Sequence, residues 1–424
     1  MSGSFPKLPE RTPAQEDLLR VMRAAVNGQV AEIDPLAWPA VYRLAAMHQV
    51  ETFLYPLIRA WPPAALPPEE MMHFWRTVFL QAAGRYARVA EQARELFSAL
   101  HAAGIEMIPL KGVWLAERIY MEGGCRTMND IDLLVPEARF NEACGVIRSI
   151  GYVTPDYDVT DRRVKHAHFQ KCGEPLALEL HRRLFSHPVS AGEAPSTDWV
   201  WHGNMEDRLH GIPVQTFEPE RQVAYLAHHI LGHRMAVPLK VYLDLCLVCE
   251  RFAAPLSDTA FRHERARWGA VYGISFVLRM ADRLLKSEAC RMWAAIPEES
   301  AELCEALDVA EQIVIGLDAK SIKLTPSLSR FIRSKGLERI RIGLASLFRS
   351  AAEMRQIYPR TVRWFGLAGG YLWRLPDLFL RHGSFLSGSP SCRHQTKVAH
   401  KGFEDREQLI AWLCARENDK KGHD

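Results

Sequence analysis

Asn129-Asp130-Ile131-Asp132-Leu133-Leu134-Val135 decides how this chain reads. Two carboxylates stand one residue apart in a run that otherwise has the composition of a buried β-strand. Side chains alternate along a strand. Asp130 and Asp132 therefore leave one face, and Ile131, Leu133 and Val135 leave the other. Two acids side by side repel each other and are costly to hold near a core. A divalent cation held by oxygen ligands would make such a pair stable.

Further along, Leu176-Ala177-Leu178-Glu179-Leu180-His181 alternates in the same way, with Glu179 and His181 on its polar face. If the two strands share a sheet, Asp130, Asp132 and Glu179 converge on one site. That is the ligand set expected for one or two magnesium ions. Upstream, Lys111-Gly112 stands where a short apolar strand, Ile105 to Leu110, turns into a helix. A helix start offers free N–H groups and partial positive charge, which suit phosphate. Gly112 lets the backbone approach closely, and Lys111 adds a full charge. Arg126 precedes the acid pair and has planar donors suited to the same ligand.

The remaining pattern frames these runs. Leu36 to Ala60 and Pro68 to Ala103 carry apolar residues at helical spacing, and Gly104 stands where a helix-ending cap belongs. Val113 to Met121 and Pro136 to Ser149 read as helices on either side of the acid-bearing strand. Gly151-Tyr152-Val153 reads as a short strand and residues 155–163 as a loop. His166 to Lys171 and Leu176 to His181 form a predicted hairpin around Cys172-Gly173-Glu174-Pro175. From Glu218 the pattern is helical again to about residue 385, where Ser384 to Ser391 reads as a linker.

Composition narrows the function classes. The chain has 424 residues, room for two or three domains, and a net charge of +3 marks no strong polyanion binder. Nine cysteines lack framework spacing, so reduced thiols in a cytoplasmic compartment fit better than a disulfide scaffold. The close pair Cys246 and Cys249 reads as helix packing. Met1 to Arg20 lacks the apolar core of a signal peptide. Trp364 to Leu380, the nearest approach to a membrane span, is broken by Gly369-Gly370, Arg374 and Pro376.

Taken in order, Lys111-Gly112, Arg126, the Asp130-Ile131-Asp132 strand and Glu179-Leu180-His181 resemble the uncharacterised nucleotidyltransferase family of bacteria, within the DNA polymerase β-like nucleotidyltransferase superfamily. The resemblance extends to the helix holding Tyr242-Leu243-Asp244. It implies an α+β fold, with a small mixed β-sheet core at 104–217. Helical regions would flank it at 1–103 and 218–385, with a linker and tail at 386–424. It implies transfer of a nucleoside monophosphate from a triphosphate such as ATP to an acceptor hydroxyl, with release of pyrophosphate. Asp130, Asp132 and Glu179 would be the catalytic, metal-holding residues, with Mg2+ or alternatively Mn2+. Lys111, Gly112 and Arg126 would bind the nucleotide. The acceptor could be a peptide, a glycan or a small molecule. The wider superfamily usually has Gly-Ser at the phosphate turn; here Lys111-Gly112 takes that place, with a longer gap to Asp130.

Each of these residues also has a plainer reading. An acid pair can protect a strand edge, Lys111 can be a surface lysine, and Arg126 can pair with Asp130 simply to steady the strand. Asp244 can be a buried polar anchor. His228, His229 and His233 suggest zinc, but no zincin Glu and no third ligand accompany them, so a helix lining the pocket is the better reading. Lys320 to Arg381 is basic, with thirteen Lys and Arg against three acids and interleaved aromatics. A helical subdomain with a basic outer face comes first. Contact with an anionic membrane surface comes second, and nucleic acid last. The alternative to an active transferase is an inactive nucleotide-binding or peripheral membrane scaffold protein.

Overall fold

The computed structural model describes residues 10–154, 166–184, 198–253, 258–294, 300–316, 354, 359–386 and 404–418. Helix α1 (Pro13–Val26) starts at Thr12, whose side chain accepts from the Gln15 N–H while Gln15 returns the bond to the Thr12 N–H. Helices α2 (Trp38–Met47), α3 (Glu51–Ile58) and α4 (Glu69–Ala102) follow. The last runs for 34 residues. It stops at Gly104, which adopts φ 64°, a left-handed turn that glycine takes without a steric penalty.

A four-stranded sheet follows, built from β1 (Ile108–Leu110), β2 (Asp130–Leu134), β3 (His166–Phe169) and β4 (Ala177–His181) in the order β1-β2-β4-β3. The β2–β4 pair is parallel and the others are antiparallel. The fold is thus α+β, a small mixed sheet with helices around it. Helix α5 (Gly112–Arg118) leaves β1, and α6 (Phe140–Ser149) follows β2. Ile131, Leu133, Ala167, Phe169, Leu178 and Leu180 make the buried apolar face. Arg148 of α6 lies over the Phe169 ring, so α6 covers that side.

Local readings shift at several places. Ile105 to Met107 stays out of β1, because the Met107 carbonyl accepts from Gln215 N–H instead. Gly151 to Val153 makes only a bridge from Val153 to Gln170. The loop expected at 155–163 lies outside the described residues. A second, two-stranded sheet, β5 (Met205–Leu209) and β6 (Ile212–Thr216), has no counterpart in the sequence reading. Its signal was the pair His210-Gly211 between the strands. Both residues have positive φ, 50° and 82°, as a tight two-residue hairpin turn requires. Asp207 ties this hairpin to α5 by accepting from Arg118 and from the Trp114 indole.

Helices α7 (Pro219–Gly232), α8 (Leu239–Arg251), α9 (Asp258–Arg267), α10 (Val271–Leu285), α11 (Glu288–Ala294) and α12 (Ala301–Ile315) complete the packed body. Helix α10 packs on α7, α8, α11 and α1. Arg23 of α1 donates to the Arg283 and Leu284 carbonyls at the end of α10, satisfying acceptors that the helix itself leaves open. Cys246 and Cys249 are buried, and Cys290 joins them with its Sγ 3.5 Å from that of Cys246. Of the basic segment 320–381, residues 320–353 and 355–358 lie outside the described residues. Helix Pro359–Leu386 breaks at Gly366 and leaves Trp364, Phe365, Leu372 and Trp373 exposed. No described helix is long and apolar enough to cross a membrane.

Helix α4 also sets the approach to β2. The turn Gly123–Cys125 lies so close to it that a Cβ on Gly124 would sit 2.8 Å from the Ala83 Cα. Backbone must then move. Gly124→Ala should cost about 1–3 kcal/mol in urea unfolding, the usual cost of overpacking. Gly145→Ala, on α6 with open space around it, should be neutral or stabilise by about 0.5–1 kcal/mol. Equal stability of the two variants would refute the close packing of turn on helix.

Candidate active site

Register assembles the site. β2 on β4 puts Asp130 opposite Ala177 and Asp132 opposite Glu179. β3 on β4 puts His168 opposite Glu179 and His166 opposite His181. Paired residues of a sheet share a face. Asp130, Asp132, Glu179 and His181 therefore line the side opposite the apolar core, joined by His166 and His168, which sequence reading did not single out.

Asp132 is the centre of charge. It is 5% exposed, its Oδ1 lies 2.9 Å from His181 Nε2, and its Oδ2 lies 3.3 Å from Lys111 Nζ. Burial opposes its ionisation, but the Lys111 charge and the His181 hydrogen bond win and hold its carboxyl well below the usual range. The other two acids behave oppositely. Burial and the nearby Asp132 charge push Asp130 up, and the same two causes raise Glu179. A firmly ionised acid thus stands between two that resist ionisation, and a bound cation would relieve that crowding. Asp132, Glu179 and His181 already present ligand atoms within 4.8 Å of one another. Asp130 stands one strand step away on the same face. This donor set, mostly carboxylate oxygen, fits a hard divalent ion.

Lys111 caps α5 with φ 48° and ψ −110°, a conformation that normally favours glycine. The strained turn delivers its ammonium to Asp132. Burial disfavours the charge, yet Tyr225, Asp132 and Asp130 outweigh it and raise the Lys111 pKa. Gly112 packs closely: a Cβ there would press on the Met128 Sδ at 3.2 Å and touch the Asp130 carbonyl at 3.6 Å.

Arg126 is buried against α8. Its Nε and Nη2 each donate 2.8 Å bonds to the two oxygens of Asp244, and the Tyr120 hydroxyl donates to the same carboxylate. Asp244 is thus a buried anchor that ties α8 to the segment leading into β2.

From α7, Tyr225 and His229 face the same cluster. Burial raises the Tyr225 phenol, against the Lys111 charge. Burial, reinforced by Lys111, drives His229 well below an ordinary imidazole. Helix α7 therefore lines the site with neutral rings. His228, held at about 4 by burial, joins no metal-capable cluster among the described residues, nor do His229 and His233.

Lys240 was missed by sequence reading. It lies on α8 one helical turn before Asp244, an unusual place for lysine on a buried face, and that spacing was the available signal. Its Nζ donates to Gln49 Oε1 at 2.5 Å and to the Thr127 carbonyl at 3.0 Å. Burial, helped by the Arg126 charge and opposed by Asp244, Asp130 and Glu51, lowers its pKa to about 8. A cavity of about 280 Å³ lies beside this region, lined by Glu51, Gln81, Arg85, Arg126 and Thr127 among others. A larger one, about 780 Å³, opens between Gly104–Met107 and the β5–β6 hairpin and holds none of the sheet-face acids. The metal-capable donor groups found among the described residues lie on the sheet face, away from this larger cavity.

The uncharacterised nucleotidyltransferase family matches residues 34–286, more than half of the chain and all of the elements that build this face, and the chain belongs to that family. No curated protein matches the chain.

The Lys240 position carries a pH signature. Folding depresses its pKa, so from about 8 up to the ordinary lysine range the unfolded chain holds a proton that the folded chain has released. Stability contributed by this group must therefore rise with pH across that window. Below it, Lys240 is charged in both states and its burial penalty is felt in full. Lys240→Met should remove the rise, a wild-type-minus-variant difference approaching ~3 kcal/mol in urea unfolding between pH 7 and 10.5. Parallel curves would place the lysine in a wetter setting.

Proposed function

We propose that this protein is a metal-dependent nucleotidyltransferase that moves a nucleoside monophosphate from a nucleoside triphosphate to an acceptor hydroxyl. The observation that carries the reading is the β2–β4 register, which gathers Asp130, Asp132 and Glu179 on one face beside Lys111 in a member of a nucleotidyltransferase family. Magnesium or manganese held by the three acids would neutralise the triphosphate and the departing pyrophosphate. Lys111, pinned by Asp132, faces the phosphates, and Gly112 leaves room for them. Arg126, its charge already balanced by Asp244, positions the 126–129 segment and adds to the nucleotide site from there.

The acceptor oxygen attacks the α-phosphorus, the bond to pyrophosphate breaks, and the acceptor proton passes to Glu179. Glu179 would take that proton on the oxygen that the ion leaves free, and Asp132, paired with Lys111 and His181, stays ionised. Neutral α7 rings keep competing positive charge away from Lys111. The acceptor is a peptide, glycan or small molecule.

A second property rests on helix Pro359–Leu386. Trp364, Phe365, Leu372 and Trp373 are 55–78% exposed on a strongly basic stretch of sequence, which suits reversible contact with an anionic bilayer. Trp364→Ser with Trp373→Ser should abolish co-sedimentation with phosphatidylserine vesicles, and a wild-type protein that stays in the supernatant excludes membrane contact.

The central test measures binding and turnover. Each nucleoside triphosphate is titrated with magnesium, followed by thermal shift, and pyrophosphate release is assayed with hydroxyl acceptors. At 100-fold excess over Kd, the preferred nucleotide should stabilise the protein by about 2.7 kcal/mol. Asp130→Ala and Asp132→Ala should lower pyrophosphate release at least ~1,000-fold, and Lys111→Ala about 100-fold. Wild-type protein that neither binds nor turns over any nucleotide would end this reading.

A further inference from the structure

The nucleotidyl-transfer reading uses the acids of the sheet face and leaves its histidines unexplained. His166 and His168 alternate on β3, so both point to the polar face, with Ala167 and Phe169 buried behind them. The two Nε2 atoms lie 3.0 Å apart. His168 Nδ1 lies 3.3 Å from Glu179 Oε1. The His181 ring centroid stands 5.2 Å from that of His166, and its Nε2 is 3.6 Å from Glu179 Oε2. Three imidazoles and a carboxylate thus meet at one end of the sheet, set there by the pairs His166–His181 and His168–Glu179.

We infer that His166, His168 and Glu179 form a transition-metal site, for zinc or an ion of similar preference, separate from the oxygen site at Asp130 and Asp132. One nitrogen from each of the two histidines and one Glu179 oxygen lie within 4.8 Å of one another. A tetrahedral ion with ligands at about 2.0 Å holds them roughly 3.3 Å apart, the spacing at which His168 Nδ1 and Glu179 Oε1 already stand. Donor type gives the selectivity. Magnesium prefers oxygen ligands and keeps its waters, whereas imidazole nitrogen selects zinc and its transition-metal neighbours. The fourth position is open to His181 or water.

Glu179 joins the two sites. Its Oε1 faces His168, and its Oε2 faces His181, which in turn contacts Asp132. An ion on the histidines would fix the Glu179 carboxylate and favour its ionised form. The inference stands without nucleotidyl transfer, because no part of it requires a nucleotide.

Cobalt(II) is the probe, since tetrahedral nitrogen ligation gives visible ligand-field bands. The full-length chain, freed of any affinity tag and stripped with chelator, is titrated with Co2+ in excess Mg2+, and Zn2+ is then used to displace it. One cobalt per chain with tetrahedral bands is expected. His166→Gln or His168→Gln should weaken cobalt and zinc binding by about 100-fold. Asp130→Asn should leave both intact. His168 is exposed, so its replacement does not threaten the fold, and both variants are to match the wild-type circular dichroism spectrum before titration. Wild-type protein without the bands, or bands that persist when both histidines are replaced, overturns the inference. Cobalt bound without nucleotide turnover leaves it standing and sinks only the transferase reading. Turnover without cobalt or zinc binding does the reverse.

Discussion

Because β2 lies parallel to β4 with Asp132 opposite Glu179, the acids of the site are committed to one face of one sheet. The side-chain period of a strand is two, so a slip of a single residue would turn Ile131 and Leu133 outward and bury both aspartates. The register resists that slip. Ile131, Leu133, Leu178 and Leu180 are each at most 1% exposed, and their burial is worth roughly 1.5–3 kcal/mol apiece. Hydrophobic packing on one face is thus the force that holds like charges together on the other.

The acids remain compatible with a folded protein because Asp132 has partners. Lys111 and His181 take its two oxygens, and the strained backbone at Lys111 is tolerated because the turn has a salt bridge to complete. Among the described residues Asp130 and Glu179 have no cationic clamp comparable to that of Asp132, and burial with the Asp132 charge raises both pKa values. A site with surplus negative charge, a lysine held against it and a close glycine turn is suited to cations and phosphate together.

The C-terminal helices belong to the site as much as the sheet does. Asp244 of α8 grips Arg126 ahead of β2, Lys240 of the same helix holds the Thr127 carbonyl, and Tyr225 and His229 of α7 close over Lys111. Buried apolar residues from Leu18 to Leu413 form one continuous core. Removing one member of the Arg126–Asp244 pair would leave the other charge buried without compensation.

The acid-bearing strands, the turn at Lys111 and the α+β order could be read from sequence, because alternation, helical spacing and glycine placement are local patterns. The sequence by itself determined that Asp130 and Asp132 share a face and that Glu179 and His181 share another. Whether those faces coincide is a matter of strand pairing between residues far apart in the chain, and only the tertiary structure decided it. The same holds for Arg126, whose donors suit phosphate or carboxylate equally until α8 brings Asp244 within 2.8 Å. Lys240, His166 and His168 escaped sequence reading for the same reason. Side-chain type limits the possible partners, but folding chooses among them, because burial and distance set the energy of a charge.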